Sequence, residues 1–111
     1  MTEQHTSDPL VELRTQITDL TSQLLDVFSE RGDVALAIAA EKQDRGASRI
    51  RDPEREQAVI DRAVANNLGP FSDESVARFV QFVMDEASQL QADATGLPLE
   101  ANTVVQKGTA V

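Results

Sequence analysis

Apolar residues recur in steps of three and four along the first part of the chain, a spacing that predicts one long helix over residues 10–42. The stretch contains no proline, and its one glycine is Gly32. At ~1.5 Å per residue, such a helix measures roughly 50 Å. The remaining residues are too few to cover a stripe of that length, so we predict a dimer in which long helices of two chains pack along each other. The apolar positions of this stripe are Leu10, Leu13, Ile17, Leu20, Leu24, Phe28, Val34, Ala35 and Ile38.

A second, shorter helix is predicted to begin at Asp52 and Pro53. Aspartate is a favoured helix cap, and proline at the first helical position sacrifices no hydrogen bond. We expect this helix to end near residues 66–70, where Gly69 can take the left-handed closing conformation and Pro70 prevents continuation.

A third helix is predicted to begin after the cap residue Ser72 and to end near Gly96. The predicted fold is therefore all-α, with three helices, one of them very long, in an intertwined helical homodimer. We expect residues 1–8 to be a flexible N-terminus, residues 9–95 to form the helical domain, and residues 96–111 to be a flexible C-terminal tail.

Composition narrows the classes of function. The net charge of −9 repels nucleic acid and anionic membranes. There is no cysteine, and the single histidine, His5, lies in a polar segment. We therefore predict no disulfide, no metal, no cofactor and no histidine-based catalytic triad. No apolar run approaches the ~20 residues that a membrane span requires, so the expected location is the cytoplasm.

Three cations interrupt the apolar stripe, and we interpret them as a binding site for an anion. Arg31 and Lys42 share a helix face, with backbones roughly 16 Å apart. Arg14 lies too far along the same helix to join them, but in an antiparallel dimer it could approach Arg31 of the other chain. Charges on such a seam are costly to bury unless something pairs them.

Other polar residues could complete that site. Glu56 leans toward the packed face of the second helix, with Asp52 and Arg55 beside it, and Gln91 lies on the apolar face of the third. Residues 44–51 form a polar and basic loop, either a solvated connection or a mobile lid over the site. Each residue alone has a simpler explanation, such as a rim position or a partner of the helix dipole. Together they favour a helical dimer that binds a dicarboxylate and stabilises charge.

Across residues 9–94 the chain resembles the all-helical class of chorismate mutases. The resemblance implies an intertwined dimer with two sites. It also implies an isomerase of the shikimate pathway that rearranges chorismate to prephenate, a step toward phenylalanine and tyrosine. The motifs that carry the resemblance are Leu13-Arg14, Glu30-Arg31, Glu41-Lys42, Arg51-Asp52-Pro53-Glu54-Arg55-Glu56 and Gln91.

The resemblance also implies roles for the cations and the amide. Arg31 and Arg14 of the partner subunit would hold the two substrate carboxylates. Lys42 and Gln91 would donate hydrogen bonds to the ether oxygen, where negative charge grows as the C–O bond breaks.

The remaining implied contacts include one departure from the family pattern. Glu56 would accept from the ring hydroxyl with Asp52 nearby, and Arg55 would support a carboxylate. Ala87 stands among the substrate-binding positions where many relatives have a small hydroxyl residue, and the loop over residues 43–51 is slightly longer than the family pattern. Three alternatives stay open: rearrangement of 4-amino-4-deoxychorismate, elimination of pyruvate from isochorismate, and a non-catalytic helical dimer that serves as an interaction module.

Overall fold

The computed structural model describes residues 8–100 of the chain as three helices. α1 comprises Pro9–Asp44, α2 comprises Pro53–Ala65 and α3 comprises Asp73–Thr95. Residues 8–100 include no strand. The predicted all-α class and the three predicted helices are thus confirmed. None of these helices is long and apolar enough to cross a membrane.

The chain divides into two compact units, an N-terminal unit, Met1–Arg31, and a C-terminal unit, Gly32–Val111. In the N-terminal unit, every described residue is exposed. The helix begins where Asp8 Oδ1 accepts a hydrogen bond of 2.9 Å from the backbone N–H of Leu10, as a cap residue does. Ile17 is 65% exposed and Leu20 is 57% exposed, so the single chain leaves the apolar stripe of this unit in contact with solvent.

The C-terminal unit has a small core of aliphatic and polar side chains. α2 packs against α3. The core includes no aromatic ring among the described residues, in accord with a chain that has only four phenylalanines and no tyrosine or tryptophan. Its buried residues are Ala35, Ala39, Ile50, Met84, Ser88 and Gln91.

Capping residues set three of the helix ends, as the sequence predicts. Asp52 accepts a hydrogen bond of 3.2 Å from the backbone of Arg55 at the start of α2. Ser72 Oγ accepts one of 3.1 Å from the backbone of Ser75 at the start of α3. Gly96 closes α3 with a φ of 76°, a conformation that glycine adopts without strain.

α2 ends just before residues 66–70, near which its end was predicted, and Gly69 is not its cap. Its last residue is Ala65, and the backbone N–H of Asn66 closes the last turn. Gly69 does have a positive φ of 79°, but it lies within the following loop. There the side chain of Asn67 accepts from the Gly69 N–H at 3.0 Å and donates to Asp73 at 2.9 Å. An asparagine that bonds its own loop in this way competes with continuation of the helix.

The loop between α1 and α2 is more than a polar connection, because it contains the buried side chain of Ile50. The Ile50 N–H donates to the carbonyl of Pro98 at 2.9 Å, and the Arg51 N–H donates to the carbonyl of Leu99 at 2.7 Å. Part of the predicted tail is therefore hydrogen-bonded to the loop. Residues 1–7 and 101–111 lie outside the described residues, and the flexibility of both ends stays a prediction.

Candidate functional site

The predicted site residues fall on both units of the chain. Arg14 and Arg31 lie on the part of α1 that belongs to the N-terminal unit, and both are exposed in the single chain. The remaining predicted residues lie in the C-terminal unit, where their surroundings follow from its packing. They are Lys42, Asp52, Arg55, Glu56, Ala87 and Gln91.

Gln91 is the most deeply placed of the predicted site residues. It is 8% exposed, and its Nε2 donates a hydrogen bond of 2.7 Å to the backbone carbonyl of Ala35 on α1. A carboxamide nitrogen carries two N–H groups, so this bond fixes the side chain and leaves one donor. A solvated glutamine, the simpler interpretation of this residue alone, is excluded by its burial.

Lys42 lies at the last turn of α1 and is half-buried. Its Nζ donates to the backbone carbonyl of Ile50 at 2.9 Å. An ammonium group has three donors, so two remain for other acceptors. The same loop is tied to the turn of Lys42 by a bond of 2.9 Å from the Ala47 N–H to the Lys42 carbonyl. Lys42 is therefore hydrogen-bonded to the loop, and this bond fixes the position of its ammonium group.

Glu56 is part of an ion network that the sequence did not reveal. Arg51 Nε donates to one carboxylate oxygen of Glu56 at 2.9 Å, and Arg51 Nη2 donates to the other at 2.8 Å. The same Nη2 also donates to Asp85 on α3 at 2.6 Å. We define Arg51, Glu56 and Asp85 as the arginine cluster.

The arginine cluster shifts the proton affinity of its members. Hydrogen bonds from Arg51 lower the pKa of Glu56, against an opposing effect of partial burial. A hydrogen bond from the same guanidinium, together with one from Gln81, lowers the pKa of Asp85. The two carboxylates in turn raise the pKa of Arg51 above its already high value. All three groups are therefore charged at neutral pH.

Asp52, Arg55 and Ala87 have less defined roles in the single chain. The carboxylate of Asp52 caps α2, and both Asp52 and Arg55 are exposed. Ala87 is half-buried, and the next residue along α3, Ser88, is 6% exposed. α3 therefore carries a buried hydroxyl directly after Ala87. It lies on the face that Met84 and Gln91 bury, since the three residues follow helical spacing.

The sequence analysis named Arg51 only as part of a motif and gave it no role, and it did not identify Asp85 or Ser88. Arg51 and Glu56 are five residues apart across a helix start, which is not a spacing that predicts contact. Asp85 is 34 residues from Arg51, so only the packing of α2 on α3 brings it near. The sequence did contain one signal for Ser88. Ser88 lies three residues before Gln91, so helical spacing places both on the apolar face of α3.

The C-terminal unit contains two side chains that can donate hydrogen bonds and one carboxylate that can accept them. Lys42 and Gln91 supply N–H groups with spare capacity, one charged and one neutral. Glu56 supplies a carboxylate that is ionised and held in one orientation. Such groups bind and stabilise polar oxygen atoms whose charge changes during a reaction.

Comparison with known proteins shows that most of the chain matches one protein family. The family described as chorismate mutase type II matches residues 13–92. This range begins just before Arg14 and ends just after Gln91, so it includes every predicted site residue.

Two curated relatives are similar in sequence. Both are called bifunctional chorismate mutase/prephenate dehydratase. The protein from Neisseria gonorrhoeae is 36% identical over 86 residues, which cover 78% of this chain and 23% of that protein. The protein from Pseudomonas aeruginosa is 35% identical over 88 residues, which cover 76% of this chain and 24% of that protein. The chain therefore spans about a quarter of the length of these relatives.

Two solved structures of chorismate mutase from Thermus thermophilus share the fold. Form I is 25% identical with a TM-score of 0.69, over 72% of this chain and 99% of that chain. Form II is also 25% identical, with a TM-score of 0.73, over 76% of this chain and 94% of that chain. Almost the whole length of these neighbours is matched.

Proposed function

Because the chain belongs to the type II chorismate mutase family, we propose that it catalyses the rearrangement of chorismate to prephenate. The observation that carries this proposal is the match over residues 13–92, which includes all of the candidate site, together with the burial of Gln91 in that site. The prephenate dehydratase part of the curated relatives' name is not proposed for this chain, because the chain matches only about a quarter of their length.

The reaction suits a site without a nucleophile. One C–O bond breaks and one C–C bond forms within a single molecule, and no group leaves. The enzyme must hold the substrate in a folded, compact conformation and stabilise the charge that develops on the ether oxygen. The donors and the carboxylate described above provide for these tasks.

The cations of α1 would bind the two carboxylates of the substrate. We assign this role to Arg31 and to Arg14 of the partner subunit. Guanidinium groups bind carboxylates with two parallel hydrogen bonds, which fixes orientation as well as position. Both residues are exposed in the single chain and are thus accessible to a ligand.

Lys42 and Gln91 would donate to the ether oxygen. Lys42 has two free donors after its bond to Ile50, and Gln91 has one after its bond to Ala35. Because both side chains are already held, little further ordering is needed when charge grows on the oxygen. The neutral amide donates at any pH, so its contribution does not depend on titration.

Glu56 would accept a hydrogen bond from the ring hydroxyl. Its oxygens bond to Arg51, yet a carboxylate has about four lone-pair sites, so acceptor capacity remains. Asp52 and Arg55 lie at the start of the same helix, where we assign them supporting contacts to the substrate, and Ala87 would line the site without a polar contact.

A homodimer would complete the two sites. The exposed apolar stripe of the N-terminal unit supports this assembly, because monomers rarely leave so continuous an apolar surface in water. A second copy of the chain would cover that surface and supply Arg14 to the site of its neighbour.

The proposal is tested by mixing purified protein with chorismate and following the loss of its ultraviolet absorbance. We expect a rate well above that of buffer. Arg31→Ala should lower kcat/KM by about 10²–10³-fold, because a charged contact to the reacting molecule is lost. Arg45→Ala is the matched control, since Arg45 lies just after the end of α1, is exposed and pairs with Glu41 at 2.8 Å.

Two results would contradict the proposal. If chorismate disappears no faster with the wild-type protein than in buffer alone, the proposed activity is wrong. Full activity of Arg31→Ala, with unchanged helical circular dichroism, would remove the assigned site. The same assay with 4-amino-4-deoxychorismate and isochorismate, followed by product analysis, separates the analogues, because Glu56 suits either a hydroxyl or an ammonium group.

A further inference from the structure

The guanidinium of Arg51 is held by three hydrogen bonds. Its two bonds to Glu56 are of the parallel, bidentate kind, and a third bond reaches Asp85. The side chains of Arg51 and Glu56 are 18% and 19% exposed, whereas that of Asp85 is 50% exposed. The Arg51–Glu56 pair is therefore largely shielded from water, where charge-assisted hydrogen bonds are stronger than at the surface.

The backbone of Arg51 is fixed as firmly as its side chain. Its N–H bonds to the carbonyl of Leu99, and its carbonyl accepts from Arg49 Nε at 3.0 Å. The preceding residue, Ile50, is buried, and its carbonyl accepts from Lys42 Nζ. One short segment thus joins the positions of Lys42 and Glu56, the two charged residues assigned to the ether oxygen and the ring hydroxyl.

We propose that Arg51 is a positioning residue for the reaction: its two hydrogen bonds hold the carboxylate of Glu56 in one orientation to receive the ring hydroxyl, and Asp85 holds Arg51 in turn. This inference rests on the proposed function. Arg51 needs no contact with the substrate for this role, because its Nε and Nη2 already bond to carboxylates.

The charges around Glu56 support this role. Glu56 is faced by Arg51 from the preceding loop, and by Asp85 and the neutral amide of Gln81 from α3. Arg51 and Gln81 lower the pKa of Glu56 by hydrogen bonding, whereas Asp85 and partial burial raise it. If Arg51 were removed, the raising influences of Asp85 and burial would remain, so the pKa of Glu56 would rise.

The test compares Arg51→Gln and Arg51→Lys with Arg45→Gln as the control for an exposed arginine pair. We expect Arg51→Gln to lower kcat for chorismate by about 10–10²-fold, because misplacement of a contacting group by about 1 Å has an effect of that size. Arg51→Lys retains the charge but not the bidentate geometry, so its loss should be smaller. KM should change less than kcat in both variants, since the residues assigned to the substrate carboxylates are intact.

The pH dependence of kcat/KM is the measurement that a purely structural role would not change. Glu56 stays ionised below its ordinary pKa of 4.5 in the wild type. The acid limb of the profile should therefore move to higher pH in Arg51→Gln and stay near the wild-type position in Arg51→Lys and Arg45→Gln. Carbon-13 NMR of the Glu56 carboxyl should show the same order of pKa values without substrate.

The outcomes separate the two proposals. An active wild type whose kcat and acid limb are unchanged in a folded Arg51→Gln would overturn the role of Arg51 and leave the proposed function intact. If Arg51→Gln does not fold, the test uses Arg51→Lys and Asp85→Asn in its place. A kcat equal to that of the wild type in both variants would overturn the inference. A wild type without activity on chorismate would overturn the proposed function and this role together.

Discussion

The two units of the chain differ in what they bury. In the described part of the N-terminal unit, apolar side chains such as Ile17 and Leu20 are more than half exposed. In the C-terminal unit, polar side chains such as Gln91 and Ser88 are buried, and Glu56 is held by an arginine. The described part of the N-terminal unit buries nothing, whereas the C-terminal unit buries polar groups even though apolar side chains such as Phe71 and Phe79 remain exposed there.

This difference indicates where each unit obtains its stability. The C-terminal unit satisfies its buried polar groups by its own contacts, and within residues 8–100 no buried side-chain nitrogen or oxygen lacks a hydrogen-bond partner. The described part of the N-terminal unit has no comparable interior, since all of its residues are exposed. In the proposed dimer, a second copy of the chain would cover the apolar surface of the N-terminal unit.

The largest effect is expected from a charge placed in the uncovered stripe. Leu20→Asp should dissociate the proposed dimer and lower activity by about 10³-fold or more, because each site would lose Arg14 of the partner subunit and its packing. Sedimentation or light scattering gives the mass, and the chorismate assay gives the rate.

Ser22→Asp is the matched control for that charge. Ser22 lies on the opposite face of α1 from Leu20 and Leu24, so its substitution adds the same charge at nearly the same level along the helix. A dimer that persists with full activity in Leu20→Asp would show that the apolar stripe of this unit is not an interface.

A smaller effect is expected in the packed unit, where one donor can be removed without loss of the fold. Gln91→Leu keeps the size of the side chain but cannot donate, so kcat should fall by about 10²-fold. The change in unfolding free energy should be only about 1 kcal/mol, because a single hydrogen bond is lost. Gln89→Leu is the control, since Gln89 is exposed and bonds Asp93 on the same helix at 2.9 Å. Equal activity of the two variants would exclude Gln91 from the reaction.

The arginine cluster should also contribute to stability in a pH-dependent way. Arg51→Gln should lower the free energy of unfolding by about 1–3 kcal/mol at neutral pH, because two carboxylates lose a shared donor. Arg45→Gln should change it by less than about 0.5 kcal/mol, since that ion pair is exposed. Urea unfolding measures both values.

The sign of the pH dependence follows from the lowered pKa of Glu56. Its contribution is fully present above the ordinary pKa of 4.5 and is lost as the pH falls through the lowered value in the folded protein. The difference between wild type and Arg51→Gln should therefore shrink in acid. A difference that is constant from neutral pH to the acid transition would contradict the ionised pair.

The smallest effect is expected at a helix cap remote from the site. Ser72→Ala removes the hydroxyl that accepts from the Ser75 N–H and should reduce stability by about 1 kcal/mol. Activity at moderate temperature should not change. A large loss of activity in a folded Ser72→Ala variant would show that the start of α3 contributes to catalysis.

Local sequence signals were sufficient for most of the fold. Helical spacing marked all three helices, and the caps Asp52, Ser72 and Gly96 were evident because each acts on its own neighbours. The closing role given to Gly69 was misplaced because Asn67 organises the loop through its side chain. That effect depends on Asp73 at the start of the next helix, so no property of Gly69 alone could reveal it.

The burial of two predicted site residues followed from the sequence, but their hydrogen-bond partners did not. Gln91 and Glu56 lie on faces that the sequence marks as packed, and both are at least half-buried. The partners that orient them are distant in sequence, as the bond of Gln91 to Ala35 and that of Arg51 to Asp85 illustrate. Such contacts depend on how helices meet, which a periodic pattern does not specify.

The most direct measurement of the central claim is complementation between two inactive variants. Arg14→Ala and Gln91→Leu are unfolded together, refolded as an equal mixture and assayed with chorismate. If each site combines Arg14 of one subunit with Gln91 of the other, mixed dimers contain one intact site, and the mixture should regain about a quarter of the wild-type activity. A mixture no more active than its parents, with mixed dimers present, would contradict a site shared between two chains.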